Sequence, residues 1–228
     1  MHNTHFENVT GLDDDTTNHM TSAYDIALMT RELLNHPKIL EYSGLWMDTI
    51  RGGEFGLTNT NRLIRFYPGA TGLKTGSTSK AKFCISATAQ REGLHLIAVI
   101  MGSDTRDTRN EAAKALLDWG FANYSVFTHT DETEGSASVI GGVQKDCRGN
   151  AGTFSLLLPK GKQKLVTVEH IYYENIPAPV GEGDTIGIVR YHLEGELLAE
   201  IPIISSETVE RIGFKELFLR MFGIYLMK

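Results

Sequence analysis

The spacing of apolar residues predicts zones of different structure along the chain. Residues 22–34 and 106–121 carry apolar side chains at helical intervals, whereas residues 83–88 and 94–101 are rich in Ile, Val, Leu and Phe. Two such β-rich runs, joined by a turn over residues 90–93, are typical of a β-hairpin. The first zone therefore mixes helices with strands.

The second zone alternates short β-rich runs with turns that contain Gly, Pro and Asn. Regular short strands of this kind predict a small β-sandwich or barrel. In the third zone an apolar face at helical spacing extends from Val209 to Tyr225, and charged residues occupy the other sides. Such a terminal helix fits a membrane interface or a docking face on its own domain or a partner, and the pattern leaves both open. The predicted domains are residues 1–124, 125–205 and 206–228.

Composition and charge exclude several classes of protein. The 228 residues are 41% hydrophobic and 22% charged, which is globular and excludes disorder as the dominant state. A net charge of -6 gives no reason to expect a nucleic-acid partner. No apolar run reaches the ~18–20 residues that span a bilayer. Neither a cofactor nor a metal site is predicted, and a disulfide between Cys84 and Cys147 is only weakly supported.

The N-terminal segment has no basic stretch followed by an apolar one, so it does not resemble a secretory signal. On this evidence alone, either the protein is cytoplasmic or the chain begins inside a longer one.

One short motif indicates chemistry. Lys74, Thr75 and Gly76 form a K-T-G triplet, one of three motifs of penicillin-binding proteins and serine β-lactamases. On an edge strand, a lysine ammonium and a threonine hydroxyl converge on a substrate carboxylate, and the glycine lets substrate backbone approach closely. A tripeptide alone is a weak signal, and the alternative is that the triplet lies in a surface turn without a binding role.

Several further stretches occur in the order found in one family. Residues 1–124 resemble the D-alanyl-D-alanine carboxypeptidases, which are low-molecular-mass penicillin-binding proteins of the bacterial cell wall. The matching stretches are residues 3–8, 11–13, 21–27, 60–63, 68–81, 90–93 and 116–121. The resemblance implies an α/β fold, namely the C-terminal part of a transpeptidase-like domain. A small all-β domain and a C-terminal amphipathic helix follow it.

The resemblance also implies a mechanism and a set of roles. A serine attacks the D-Ala-D-Ala peptide carbonyl, a lysine one helical turn later activates it, and water releases the acyl group. Lys74 and Thr75 would hold the terminal carboxylate with help from Arg62. Gly76 completes the substrate-binding triplet, and the backbone N–H of Ser77 would be an oxyanion-hole donor. The implied partners are peptidoglycan stem peptides, β-lactams in the intact enzyme and the outer face of the cytoplasmic membrane.

Two family motifs are expected upstream of the region that matches Asn3. The sequence contains no S-x-N, and its S-x-x-K match at residues 77–80 overlaps the predicted K-T-G strand, where it is a poor nucleophile candidate. We therefore expect an N-terminally truncated carboxypeptidase that is inactive alone. The alternative is a non-catalytic, membrane-attached spacer or binding module with a vestigial K-T-G region. A β-lactamase, which would not need the second zone or the terminal helix, ranks lowest.

Overall fold

The computed structural model describes residues 1–12, 15–133 and 135–226, with side chains as far as residue 222. Contacts divide the chain into two compact units, Met1–Ser125 and Val126–Lys228. Each unit contains its own cluster of buried apolar side chains. The domain limits predicted above stay predictions.

The described residues of the first unit form four α-helices and five strands. In chain order they are α1 (Ala23–Leu34), α2 (Lys38–Ser43), β1 (Met47–Ile50), β2 (Phe55–Thr58), α3 (Leu63–Phe66), β3 (Ala70–Thr78), β4 (Lys82–Arg91), β5 (Leu94–Ser103) and α4 (Arg106–Asn123). Strands β3, β4 and β5 form an antiparallel sheet in that order, and β1 pairs with β2 in a separate hairpin.

Local sequence accounts for the ends of the two long helices. Ser22 caps α1, since its hydroxyl accepts a hydrogen bond from the Asp25 backbone N–H at 3.1 Å. Thr105 and Thr108 form a reciprocal capping box at the start of α4. The predictions of helices over residues 22–34 and 106–121, and of a hairpin over residues 83–101, are confirmed.

The two faces of the β3–β5 sheet differ in chemistry. Ile85 and Ala87 of β4 lie in the apolar core with Ala113 and Leu117 of α4. On the other face, the buried Ser86 hydroxyl is hydrogen-bonded to Thr30 of α1 at 2.7 Å. The sheet therefore has an apolar side against α4 and a more polar side against α1.

The second unit consists mainly of strands. They are β6 (Tyr124–Asp131), β7 (Gly135–Ile140), β8 (Asp146–Asn150), β9 (Gly152–Pro159), β10 (Val166–Tyr172), β11 (Ile176–Pro177), β12 (Thr185–Leu193) and β13 (Glu196–Ser205). A six-stranded sheet has the order β10-β12-β13-β8-β7-β11, while β6 and β9 form a two-stranded ribbon. Phe127 and Phe154 of the ribbon contact Tyr191 of the sheet, which makes a small two-layered β domain.

The last helix, α5 (Phe214–Leu226), begins later than the apolar spacing predicts. Val209 instead exchanges two backbone hydrogen bonds with Val180 and is 1% exposed in the β-domain core. The prediction that the helical face begins at Val209 is therefore wrong, because this valine completes a β-bridge. The side chain of Tyr225 lies outside the described residues. None of the described helices has both the length and the hydrophobicity that crossing a bilayer requires.

Candidate functional site

The K-T-G triplet lies on β3, which is an edge strand of the three-stranded sheet. Lys74 is opposite Ser86 in the β3–β4 ladder, and Thr75 is opposite Ile85. Lys74 and Gly76 are exposed, and a Cβ atom built on Gly76 would meet no other atom within 4 Å. The backbone at the triplet is therefore open to an approaching ligand.

Lys74 and Thr75 project to opposite faces of the sheet, because residues paired across a ladder share a face. Thr75 shares the face of Ile85, which packs toward α4, whereas Lys74 shares the face of Ser86, which contacts α1. The Lys74 ammonium donates a hydrogen bond to the backbone carbonyl of Thr75. The structure thus brings the ammonium to the strand backbone rather than to the Thr75 hydroxyl.

A neighbouring segment supports the Thr75 hydroxyl. Thr60 and Thr75 share a hydrogen bond of 2.6 Å between their Oγ1 atoms. Asn59 and Asn61 fix the backbone around Thr60: the Asn59 amide donates to the carbonyls of Ser43 and Leu45, and the Asn61 amide donates to the carbonyl of Gly72 at 2.8 Å. Two asparagines therefore hold this segment beside β3.

A cavity of about 510 Å³ opens next to Thr60 within the first unit. Arginines, aromatic rings and neutral polar groups line it, and no carboxylate is among its described lining residues. The lining residues are Trp46, Thr58, Asn59, Thr60, Arg62, Phe66, Arg106, Arg109 and Asn110. The K-T-G residues are not in the lining, so the Thr60–Thr75 hydrogen bond is the link between triplet and cavity.

Arg109 is the most buried charge in this cavity, with 3% of its surface exposed. Its guanidinium donates to neutral acceptors, namely the Asn110 side-chain oxygen at 3.0 Å and the Cys84 carbonyl at 3.4 Å. Burial, followed by the nearby charge of Arg106, lowers the pKa of Arg109 below its ordinary value. A buried cation with neutral partners makes the cavity favourable for an anion.

Comparison with family models decides the relationship. Residues 1–105 match the model of the D-alanyl-D-alanine carboxypeptidases, and residues 122–211 match that of the penicillin-binding protein 5 C-terminal domain. The chain belongs to the D-alanyl-D-alanine carboxypeptidase family.

Curated members of this carboxypeptidase family match nearly the whole chain. The D-alanyl-D-alanine carboxypeptidase DacF of Bacillus subtilis is 36% identical over 98% of this chain and 59% of its own length. DacC of Escherichia coli is 29% identical over 99% of this chain and 56% of its own length. The chain thus spans between half and three-fifths of the length of these curated relatives.

Solved structures confirm the predicted fold class. The crystal structure of penicillin binding protein 5 from Haemophilus influenzae aligns with a TM-score of 0.72 and 29% identity. That alignment covers 91% of this chain and 61% of the other. The α/β part, the β domain and the final helix therefore resemble those of penicillin binding protein 5 structures.

Other predicted site residues lie around the triplet or elsewhere. Arg62 lines the cavity, and its guanidinium is 3.8 Å from the Asp107 carboxylate. Ser77 is exposed on β3 beside Gly76. Its S-x-x-K partner Lys80 lies in the β3–β4 turn, so this match is not at a helix N-terminus. Both cysteines are free thiols, and the described residues contain no group of three or more metal-binding side chains.

Two features of this region were not predicted from the sequence. Ser79 and Lys82 form a second S-x-x-K match, which spans the β3–β4 turn and the start of β4. The sequence predicts Arg106 and Arg109 only as residues of a helix, because the spacing of an arginine in a helix does not show what its side chain contacts. Arg109 is buried whereas Arg106 is exposed, and both line the cavity together with residues before α3, which are distant in sequence.

Proposed function

We propose that this chain supplies the substrate-binding wall of a serine-type D-Ala-D-Ala carboxypeptidase site. The observation that carries the proposal is the position of Thr75, on an open edge strand and hydrogen-bonded through Thr60 to an arginine-lined cavity. The substrate class is a peptidoglycan stem peptide with a terminal carboxylate. An anionic chain end suits this surface because charge-assisted hydrogen bonds to ammonium, guanidinium and hydroxyl groups are strong.

Each proposed role follows from the residue type and its place. The Thr75 hydroxyl binds the terminal carboxylate, and Arg62 supports that carboxylate from the cavity. The Lys74 ammonium starts on the other face, against the Thr75 carbonyl, and binds the same carboxylate by turning around the open edge of β3. Gly76 leaves room for the peptide backbone beside β3. The backbone N–H of Ser77 is the proposed oxyanion-hole donor, as the resemblance to the family implies.

The proposed reaction of the intact enzyme is acyl transfer to a serine followed by hydrolysis. Within this sequence, the S-x-x-K matches that begin at Ser77 and Ser79 lie on the β3–β4 hairpin. A serine there has no lysine one helical turn away, which is the arrangement that activates the nucleophile. We therefore expect this chain to bind the peptide without being acylated by it.

The test is an NMR titration of the chain with acetyl-D-Ala-D-Ala. Shifts should concentrate on residues 60–62 and 73–78, and Lys74→Ala should weaken binding about tenfold, since a charge-assisted hydrogen bond is worth roughly 1.5–3 kcal/mol. Lys38→Ala removes an exposed lysine on α2 and is the matched control, with no change expected.

A second ligand separates carboxylate recognition from general peptide binding. Acetyl-D-Ala-D-Ala carboxamide differs by the terminal charge alone and should bind at least tenfold more weakly. Equal binding of acid and amide, or shifts confined to the second unit, would refute the proposal.

We further propose that α5 attaches the protein to the outer face of the cytoplasmic membrane. Phe214, Phe218 and Phe222 stack along one side of the helix, and each is at least 52% exposed. A row of exposed aromatic rings on an amphipathic helix is suited to the headgroup region of a bilayer. The proposed location is therefore extracytoplasmic and peripheral.

Vesicle binding tests the role of α5. Phe218→Glu should reduce co-sedimentation with phosphatidylglycerol vesicles at least tenfold, because it removes roughly 2–3 kcal/mol of apolar burial and adds a like charge. Leu157→Glu, at a position of similar exposure on β9, is the control. If both variants lose binding equally, the aromatic row is not the attachment site.

A further inference from the structure

Thr71 lies where the ladder between β3 and β4 is interrupted. The register shifts between Ala70 and Gly72, so the backbone pairing is irregular at Thr71. Side chains hold the residue instead: its carbonyl accepts a hydrogen bond from the Ser43 hydroxyl of α2 at 2.9 Å, and its hydroxyl is hydrogen-bonded to that of Thr88 of β4 at 2.8 Å. The start of the K-T-G strand thus depends on side-chain hydrogen bonds.

A histidine ends this chain of hydroxyls. His95 of β5 lies on the same face of the sheet as Thr88, and its Nε2 atom is 3.0 Å from the Thr71 hydroxyl oxygen. The Thr88 side chain is fully buried, and Thr71 is its hydrogen-bond partner among the described residues. The Thr88 hydroxyl therefore donates to Thr71, and the Thr71 hydroxyl donates to Nε2 of His95.

This direction of hydrogen bonding requires a neutral imidazole. Nε2 accepts a hydrogen bond only without a proton of its own, so the ring carries its proton on Nδ1. Protonation of Nε2 makes it a donor, and either the Thr71 or the Thr88 hydrogen then has no acceptor within the chain of hydroxyls. Burial accordingly lowers the pKa of His95 below its ordinary value.

The charged side chains of the surrounding elements have other surroundings. On the elements around this face they are Asp25, Arg31 and Glu32 of α1, Lys38 and Glu41 of α2, Lys74 of β3, and Lys82 and Arg91 of β4. Asp25 is the buried member of this set, and it accepts hydrogen bonds from Asn3 and Thr4. Burial, rather than one of these charges, is what lowers the pKa of His95.

The residue after Thr71 connects this chain of hydroxyls to the candidate site. The Gly72 carbonyl accepts the hydrogen bond from the Asn61 amide at 2.8 Å. Thr60, the residue before Asn61, shares its hydrogen bond with Thr75 of the triplet. A displacement of β3 at Thr71 therefore reaches the Thr75 hydroxyl through one short segment.

We propose that His95 is a positioning residue for the K-T-G strand, and that its neutral ring holds Thr71 and thereby Thr75 in place. The role in binding rests on the carboxylate recognition proposed above. Because the native pKa is lowered, the contribution of His95 is present above about pH 6.5 and is lost as the pH falls toward that lowered pKa. Acid should therefore loosen β3 and weaken peptide binding.

The first test is the titration with acetyl-D-Ala-D-Ala at pH 7.5 and pH 5, where the peptide carboxylate is ionised at both values. The wild-type dissociation constant should rise about fivefold at pH 5, because a buried donor loses its acceptor. His95→Gln keeps a neutral acceptor that does not titrate, and its constant should change less than about twofold. His36→Gln removes an exposed histidine and should keep the wild-type response.

A measurement without peptide separates the role of His95 from the proposed function. Hydrogen-exchange protection factors over residues 71–75 should fall about fivefold in the wild type between the same pH values and change less than about twofold in His95→Gln. Residues 185–193 of β12 are the internal control. Absence of peptide binding at pH 7.5 would refute carboxylate recognition, and these protection factors would then decide the role of His95.

Nitrogen-15 chemical shifts of the imidazole test the tautomer directly. At pH 7.5 the proton should be on Nδ1 of His95, and Nε2 should carry none. A proton on Nε2 would overturn the inference. Equal losses of protection over residues 71–75 in the wild type and in His95→Gln would overturn it as well.

Discussion

The two units differ in how completely their strands are partnered. In the second unit, the edges of the main sheet are β11, which has two residues, and β10, which exposes Thr167 and Glu169. In the first unit, every residue of β1 and β2 is exposed, and the apolar β5 has one edge without a partner strand among the described residues. The β domain thus closes its own core, whereas the unit that carries the K-T-G strand leaves apolar surface open. We expect the two units to unfold separately.

The variant with the largest expected effect is Tyr191→Ala, which tests whether the two units unfold separately. Tyr191 is fully buried against Phe127 and Phe154, and truncating such an aromatic side chain costs roughly 3–5 kcal/mol. Both tryptophans, Trp46 and Trp119, belong to the first unit. Urea unfolding should therefore shift to lower concentration by circular dichroism, while the tryptophan fluorescence transition stays in place.

A matched variant completes this experiment. Leu197→Ala removes a 52% exposed side chain of the same unit and should change stability by less than about 0.5 kcal/mol. If Tyr191→Ala shifts the fluorescence transition as much as circular dichroism, the units are coupled and the comparison fails.

A smaller effect should come from Asp131→Asn, also in the second unit. Burial raises the pKa of Asp131, but hydrogen bonds from the Ala151 N–H, from His170 and from the Thr133 N–H outweigh it and leave the pKa below its ordinary value. The ionised form therefore stabilises the native state. This contribution is present above about pH 4 and is lost as the pH falls through the lowered pKa.

The variant should lose about 1.5–3 kcal/mol at neutral pH, the usual value of hydrogen bonds to a charged group. Urea unfolding followed by circular dichroism at pH 7 and pH 3 measures the free energy of unfolding of the wild type and of the variant. The wild type should approach the variant at the lower pH. A constant difference at both pH values would rule out the charge of Asp131 as the cause.

The smallest expected change at neutral pH is that of Tyr67→Phe in the first unit. The Tyr67 hydroxyl donates to Asp118 at 2.7 Å, and its loss should cost about 1–2 kcal/mol. Burial and then this hydrogen bond raise the pKa of Tyr67 to about 12, against the opposing charge of Arg91. Native-state stabilisation is thus complete below about pH 10 and is lost as the pH rises toward 12.

Tryptophan fluorescence during urea unfolding at pH 8 and pH 11 measures how much Tyr67 contributes to the stability of the first unit at each pH. The wild type should lose more stability than Tyr67→Phe over that interval, and the second unit should show no difference between the two proteins. An identical alkaline loss in both proteins would show that Tyr67 ionises at an ordinary pH.

The sequence predicts local structure well where the signals are local. The Ser22 cap and the apolar spacing after it define α1, and the two β-rich runs on either side of residues 90–93 define the β4–β5 hairpin. Val209 shows the limit: its spacing fits the helix that follows, but the valine pairs with Val180 from a distant segment. A short apolar run does not distinguish helix from strand without knowledge of its partner.

The site was predictable to a similar extent. The K-T-G triplet is a contiguous motif, so sequence alone indicates Lys74 and Thr75. Thr60 belongs to the matching stretch of residues 60–63, but its hydrogen bond to Thr75 is found only in the fold. The same holds for the place of Arg109 in the cavity, because both features join segments that are far apart in the chain.

The most direct test of the account is the intact mass of the folded chain after incubation with excess benzylpenicillin. A protein that holds the substrate-binding wall without an activated serine should show no adduct, while the peptide titration still shows carboxylate-dependent binding. A single stoichiometric adduct would contradict the account, and peptide mapping of that adduct would start with Ser77 and Ser79.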